Sequence, residues 1–336
     1  MSARPVPVTR HRLVNDEGWT LDLLDLGATV QSLRVPDREG SLADVVLGFD
    51  DPADYEGRHP YLGAFVGRSA NRIAGAAFVL DGRRVELVPN ERGNQLHGGP
   101  DGFHRRRFEA ERLPRPEGPA LRFSLTSPAG DQGFPGELQV VVEYTLLRDG
   151  LRMEVGARTD APTLFNPTQH SYFNLAGAGD IAGHELQIDA EEYTPVGPGR
   201  IPTGERLPVA GSSLDFREPR RVGDRLGMPD LAATNGYDHN FILHGEGLRR
   251  VAQLRDPGSG RILEVETDRP GLQLYTGNGF DGTLIGKGGR PIPHRGGLCL
   301  ETQLWPDAPN QPGFPSAVLR PGQEFHSVTL YRFRAE

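Results

Sequence analysis

"LQVVVEYTLLRDGLRMEVGARTD", residues 138–160, decides the fold class. Two runs rich in Val, Leu, Tyr and Thr flank Asp149-Gly150, a pair that accepts the positive φ of a two-residue turn between antiparallel strands. The stretch predicts a β-hairpin, and the pattern recurs outward in both directions. "GAAFVLDGRRVELVPN" (75–90) predicts a hairpin across Asp81-Gly82, and "WTLDLLDLGATVQSLRVPD" (19–37) predicts two short strands around Gly27. "GRILEVETDRPGLQLYTGN" (260–278) predicts a hairpin with a longer loop, and "FHSVTLYRFRAE" (325–336) a closing strand. No stretch of about 12 residues carries the i, i+3, i+4, i+7 apolar spacing of a helix. The 44 glycines and 29 prolines break helices and mark turns instead. Strands continue along the chain with no composition break and no fixed-period repeat. The expectation is an all-β fold, one domain over residues 1–336, built as a large antiparallel β-sandwich with long loops. Pro-rich stretches at 112–119 and 306–321 are expected to be surface loops within it.

Composition narrows the function. The net charge is −8, from 45 acidic and 37 basic residues, with no charged tail. A nucleic-acid partner would want a basic face, so none is expected. Cys299 is the single cysteine, which excludes an intramolecular disulfide and gives no sign of an oxidising compartment. The N-terminal stretch 1–18 has no apolar leader, and no segment is long and apolar enough to span a membrane. A cytoplasmic protein, monomeric or a weak homodimer, is expected. Lys287 is the only lysine and sits in the glycine-rich loop 283–296, which reads as flexible and has no evident place in the fold, so amine catalysis has little to rest on. There is no HExxH and no paired Cys/His ligand set, and the glycines of 277–289 match no phosphate-binding fingerprint, so neither metal nor cofactor is expected.

Strand alternation then assigns faces. In "NPTQHSYFNLAG" (166–177), Thr168, His170, Tyr172 and Asn174 share one face, with Phe173 and Leu175 anchoring the other. In "NGYDHNFIL" (235–243), Asp238 and Asn240 lie together, opposite Tyr237 and Phe241. In "GLQLYTGN" (271–278), Gln273 pairs with Tyr275, and in "GGLCLETQLW" (296–305) Cys299, Glu301 and Gln303 oppose Leu298 and Leu300. Such faces can simply meet water, but water-facing strands favour Lys, Glu, Arg and Thr. His, Asp, Asn, Gln and a lone Glu between apolar residues suit a partly buried surface with specified partners. A ligand rich in hydroxyls, each both donor and acceptor, fits that inventory. Asn71 and Arg72 in "GRSANRIAGAAF" (67–78), and His97 before two glycines in "NQLHGG" (94–99), extend it.

These segments, together with "GLQLYTGNGFDG" and "LETQLWPDAPNQPGFP", resemble in content and order the aldose 1-epimerases, or galactose mutarotases, over roughly residues 60–325. The resemblance implies the galactose-mutarotase type of β-sandwich and cofactor-free interconversion of the α and β anomers of free hexoses. It implies Glu301 as general base, His170 as general acid and His97 as an assisting group near the ring oxygen. Asn71, Arg72, Asp238 and Gln273 are implied to hold the remaining hydroxyls. Gln169, Leu304 and Phe108 depart from the residues common in the family at these points. For the acid–base pair to work near neutrality, the carboxylate is expected to raise the pKa of His170 and to give a bell-shaped pH profile.

Three other readings compete. A glycoside hydrolase would need two carboxylates, for which only Glu301 and Asp238 offer themselves, and aromatic platforms, yet Trp numbers two. A non-catalytic sugar-binding module would use the same polar face. A relative acting on hexose 6-phosphates would need a basic cluster, with "HRRRF" (104–108) the candidate.

Overall fold

The computed structural model describes residues 7–336; the first six residues of the N-terminal stretch and of the expected domain lie outside it. Three antiparallel sheets dominate. The largest has nine strands in the order Glu109–Leu113, Ala120–Ser127, Leu138–Leu146, Gly150–Thr159, Phe325–Ala335, Arg261–Thr267, Arg249–Arg255, Glu185–Ile188 and Arg220–Arg221. The N-terminal segment forms a four-stranded sheet from Arg10–Val14 to Leu42–Asp44. A five-stranded sheet runs Leu207–Pro208, Glu192–Thr194, Asp238–Ile242, Gly271–Tyr275, Cys299–Gln303. Helices among the described residues are short 3₁₀ turns, none long and apolar enough to cross a membrane.

One apolar cluster joins the sheets: Leu21 and Val30 from the four-stranded sheet, Phe123 and Val142 from the nine-stranded, Phe241 and Leu272 from the five-stranded. Alternation drives this, since each strand turns its Val, Leu or Phe positions to the common interior. Polar bonds cross the layers too. Tyr144 donates to the Ala28 carbonyl at 3.0 Å, and the Thr302 and Thr329 hydroxyls meet at 2.7 Å.

Turn chemistry is followed at one hairpin and not at another. Asp81 and Gly82 both have positive φ, 50° and 78°, as a two-residue turn between right-twisted strands requires. At 138–160 the hairpin forms, but the turn is Arg148-Asp149 and Gly150 already lies in the ladder opposite Arg332. Glycine is needed there for space, because a Cβ would sit 2.2 Å from the Tyr331 carbonyl oxygen.

Three expectations need correction. Residues 260–278 are not a hairpin: Arg261–Thr267 belongs to the nine-stranded sheet and Gly271–Tyr275 to the five-stranded one, and the chain changes layers between them. Loop 283–296 is not loose, since Lys287 Nζ donates to Asp44 Oδ2 at 2.6 Å and to the Val46 carbonyl at 2.9 Å. Segment 306–321 is more than a surface loop. Asp307 in it is buried, donates its backbone N–H to the Arg72 carbonyl at 3.0 Å, and accepts from the Ala74 N–H at 2.9 Å.

Candidate active site

The five-stranded sheet supplies the floor of the site. Its register places Asn240, Gln273 and Glu301 in one row across three strands, and Asp238, Tyr275 and Cys299 in the next. Adjacent in register and facing one way, several of these side chains bond one another. Gln273 donates to Asp238 Oδ1 at 2.7 Å, and Gln303 donates to Asn240 Oδ1 at 3.3 Å. All seven are removed from bulk water to a large degree, so this polar face does not look out on solvent.

His170 comes from the stretch 166–177. Its regular ladder is confined to Thr168–Gln169, after which bridges at Phe173 to Val46 and Leu298 keep the chain extended. The alternation holds: Phe173 and Leu175 enter the core, while His170 and Tyr172 rings lie 5.0 Å apart on the other side. His170 is clamped through its backbone, N–H to the Ala64 carbonyl at 2.9 Å and carbonyl to the Gly63 N–H at 3.0 Å. Its Nε2 stands 3.7 Å from Glu301 Oε1, and its Nδ1 lies 3.5 Å from Cys299 Sγ.

His97 closes the site from the opposite loop. Its ring meets His170 edge-on, with centroids 5.1 Å apart. The His97 N–H donates to the Asn71 carbonyl at 3.0 Å, and the Asn71 N–H donates to His97 Nδ1 at 3.2 Å. That bond makes Nδ1 the acceptor, so the proton of the neutral ring sits on Nε2. The two glycines after His97 permit this approach, since a Cβ on Gly98 would fall 1.8 Å from the Gly67 carbonyl oxygen. Arg72 forks onto Glu91 at 2.7 and 2.9 Å and lies 4.0 Å from Asp238.

His97, His170, Arg72, Asn71, Asp238 and Glu301 therefore line one cavity of about 170 Å³. Gln273 stands behind Asp238, holding it, and borders the adjoining recess with Asn240. Sequence reasoning missed Tyr61, Glu91 and Arg200 on the cavity wall. Tyr61 stacks on His170 at 5.7 Å and touches the His97 ring at 4.6 Å. None of the three lies in a strand, so face alternation could not find them. The three family departures face away from the cavity. Gln169 is fully bonded to Tyr144, Gly63 and Ser171, Leu304 packs in an apolar cluster, and Phe108 packs among Phe65, Phe103 and Phe123.

Burial sets the protonation states. It pushes the His170 imidazole down to about 4, overturning the expectation that the carboxylate would raise it. The same burial, reinforced by Asp238 and opposed by Arg72, pushes the Glu301 carboxyl well above its ordinary value. His97 is held well below its usual value, first by burial, then by His170 and Arg72. Glu301 Oε2 is buried and has no hydrogen-bond partner among the described residues. Burial also raises the Cys299 thiol, which leaves it uncharged and a poor nucleophile.

His97, His170 and Glu301 bring ligating atoms within 4.8 Å of one another, close enough to raise the question of a metal. The pocket-facing Nε2 of His97 is a donor, however, so a metal would have to displace a proton held in place by the Asn71 N–H. The basic run 104–108 is tied up elsewhere. Arg105 bonds the Glu56 and Gly57 carbonyls, Arg106 pairs with Asp131, and Arg107 pairs with Asp25 and Glu56.

A family model described as aldose 1-epimerase matches residues 9–332. The chain belongs to the aldose 1-epimerase family. A galactose mutarotase of Bos taurus is 45% identical over 329 residues, covering 97% of this chain and 94% of the relative. An aldose 1-epimerase of Escherichia coli K12 is 40% identical over 331 residues, covering 96% and 94%. Among solved structures, an aldose epimerase homologue from C. elegans superposes with a TM-score of 0.90 at 31% identity, covering 98% of this chain and 99% of that one. A galactose 1-epimerase from Lactobacillus acidophilus gives 0.87 at 29% identity, covering 100% and 97%. The epimerase family thus shares both the mostly antiparallel β architecture and nearly the full length of the chain.

Proposed function

We propose that this protein interconverts the α and β anomers of free aldoses, with glucose and galactose as the reference substrates and Glu301 and His170 as the acid–base pair. The observation that carries the reading is the pair itself: two titratable groups 3.7 Å apart, buried, on the floor of a cavity lined by donors and acceptors. One group takes the C1 hydroxyl proton while the other delivers a proton to the ring oxygen. The C1–O5 bond breaks, an aldehyde forms at C1, rotation about C1–C2 presents its other face, and the reverse transfers close the ring.

The pair carries one proton throughout. With Glu301 ionised and His170 protonated it complements the ring sugar. With Glu301 protonated and His170 neutral it complements the open-chain aldehyde. Burial favours the second state in the free site, and hydroxyls reaching the unpartnered Oε2 favour the first. The site is therefore poised between the two states the reaction alternates. His97 donates from Nε2 beside His170 toward the ring oxygen. Asn71, Arg72, Asp238 and Gln273 hold the other hydroxyls, directly or by fixing a neighbour.

Charge supports a neutral sugar over a phosphorylated one. Arg72 and Arg200 face Glu91, Asp238 and Glu301 within the cavity lining, so a phosphate would meet no excess of positive charge. The continuous apolar cluster from Leu13 to Phe333 supports reading the chain as one domain.

Polarimetry of freshly dissolved α-D-glucose and α-D-galactose tests the reading. The protein should speed decay to the same final rotation. Glu301→Gln and His170→Ala should each lose about 10²–10⁴ of that acceleration with the fold intact. A wild-type protein that binds these sugars without speeding the decay would instead be a binding module.

A further inference from the structure

Four residues around the cavity hold left-handed backbone conformations without being glycine: Tyr61 (φ 57°), Asn71 (56°), His97 (51°) and Arg200 (60°). The described chain has twelve such residues, and four fall among the thirteen that line this cavity, far more than chance placement would put there. Such conformations are strained for residues that carry a Cβ and persist where surrounding structure enforces them, commonly at functional sites. Asn71 and His97 already belong to the site by their motifs. Arg200 belongs to none.

Arg200 sits at the end of a tight turn between Glu192–Thr194 and Leu207–Pro208. The turn is closed by Gly197 N–H to the Ile201 carbonyl at 2.8 Å, Arg200 N–H to the Gly197 carbonyl at 3.0 Å and Thr203 N–H to the Pro195 carbonyl at 2.9 Å. Its guanidinium reaches back over the sheet, with Nη1 3.3 Å from Asp238 Oδ2. The two arginines beside Asp238 differ. Arg72 is nearly buried and commits Nε and Nη2 to Glu91, whereas the Arg200 side chain is 32% exposed and Asp238 is its one acidic partner within 4.0 Å among the described residues. Of the five N–H donors of a guanidinium, most of those on Arg200 have no partner among the described residues and remain available at the cavity wall.

The strands bearing Asp238 and Glu301 flank Gly271–Tyr275. Two inter-strand spacings separate them by roughly 9–10 Å. That span matches a pyranose ring with its hydroxyls, and it puts Arg200 and Asp238 at the end opposite the acid–base pair. We propose that Arg200 is a substrate-binding residue that, with Asp238, holds hydroxyls on the side of the sugar remote from C1. Asp238 accepts a hydrogen bond from one hydroxyl and Arg200 donates one to a hydroxyl oxygen, a pair matched to neighbouring hydroxyls. The contact is the same in ring and open-chain forms of that end, so it contributes uniform binding and leaves kcat nearly untouched. The assignment rests on the sugar-site reading above.

Arg200→Gly is the discriminating variant, because glycine keeps the left-handed turn while removing the side chain. Calorimetric binding of D-galactose and D-glucose should weaken about tenfold, and KM should rise by a similar factor with kcat within about threefold. Arg200→Lys should recover part of the loss. The 3-, 4- and 6-deoxy sugars locate the contact. One of them should bind the wild type more weakly than its parent, yet bind Arg200→Gly no more weakly than the parent does. Unchanged binding in Arg200→Gly, an equal further loss with every deoxy sugar, or a fall in kcat at constant KM would each overturn the assignment. A wild type that binds the sugars without exchanging their anomers would sink the catalytic reading and leave the Arg200 result standing. A wild type that binds none of them would overturn both.

Discussion

The protonation of the buried pair predicts a pH profile unlike that of free side chains. Acidification through the His170 value of about 4 adds a second proton to the pair and leaves no base. Alkalinisation through the raised Glu301 value removes the only proton and leaves no acid. Activity therefore requires one proton on the pair, and kcat/KM, which reports the free enzyme, should be level through the acidic side of neutrality. At pH 5 an acid limb at about 4 leaves about 0.9 of the plateau. An ordinary imidazole acting as neutral base, with pKa about 6.5, would leave about 0.03, a difference of roughly thirtyfold. The assay is the initial rate of optical rotation change from α-D-glucose, in constant ionic strength, with the uncatalysed rate subtracted at each pH. Because the two limbs belong to the pair as a unit, a site-specific readout is needed as well. The His170 ring resonances, identified by their loss in His170→Asn, should stay those of neutral imidazole at pH 5.5. A fall of about 25-fold between pH 7 and 5, as a pKa of about 6.5 gives, would refute the reasoning. So would a His170 ring already protonated at pH 6, because then the carboxylate and not burial would control it.

Two further predictions concern the scaffold. Gly98→Ala puts a methyl 1.8 Å from the Gly67 carbonyl at a φ of +83°, so it should cost roughly 3 kcal/mol or more and lower the melting temperature with loss of activity; Gly18→Ala, at φ +77° with nothing within 4 Å, should cost only about 1 kcal/mol. Equal melting temperatures for the two would show that the close approach beneath His97 is unimportant. His59 is held down to about 4 by burial, so between pH 6.5 and 4 the unfolded chain binds a proton that the folded one does not. Stability should be full above pH 6.5 and decline on acidification by at most about 3 kcal/mol from this group. In His59→Asn, where Oδ1 can replace Nδ1 as acceptor for the Leu62 N–H, urea titrations should show that part of the acid sensitivity gone.

The strands and their faces were legible because period-two alternation is local and burial on one side enforces it. Asp238, Gln273, Glu301 and Cys299 all point where alternation puts them. Strand partnering was not legible in the same way. Residues 260–278 read as a hairpin because both strands are well formed, yet their partners lie at 325–335, 249–255, 238–242 and 299–303, and nothing in the local sequence encodes that. Glu91, Tyr61 and Arg200 escaped for a related reason: each reaches the cavity from a loop whose path depends on distant contacts. The protonation of His170 escaped because burial, the larger cause, is a property of the assembled fold and not of neighbours in sequence.

The motif residues that do not touch the cavity explain why these motifs are long. Asn174 donates to the Gly296 carbonyl at 2.8 Å and the Gly179 carbonyl at 3.0 Å, tying the His170 stretch to the segment that leads into the Glu301 strand. Asn166 accepts from the Leu304 N–H at 2.8 Å and from Arg269 at 2.8 Å, which locks the far end of the Glu301 strand. Asp307 braces the backbone on both sides of Arg72 through the Arg72 carbonyl and the Ala74 N–H, and Arg68 is buried with its guanidinium bonded to the Ser127, Pro128, Pro135 and Gly136 carbonyls. Two groups with opposed protonation preferences work only if their separation is fixed, since a shift of about 1 Å misaligns both transfers at once. These side chains reach backbone carbonyls and N–H groups more than they reach one another. The specificity in "NPTQHSYFNLAG" and "LETQLWPDAPNQPGFP" is therefore largely a specification of backbone position, with His170 and Glu301 carried on the result.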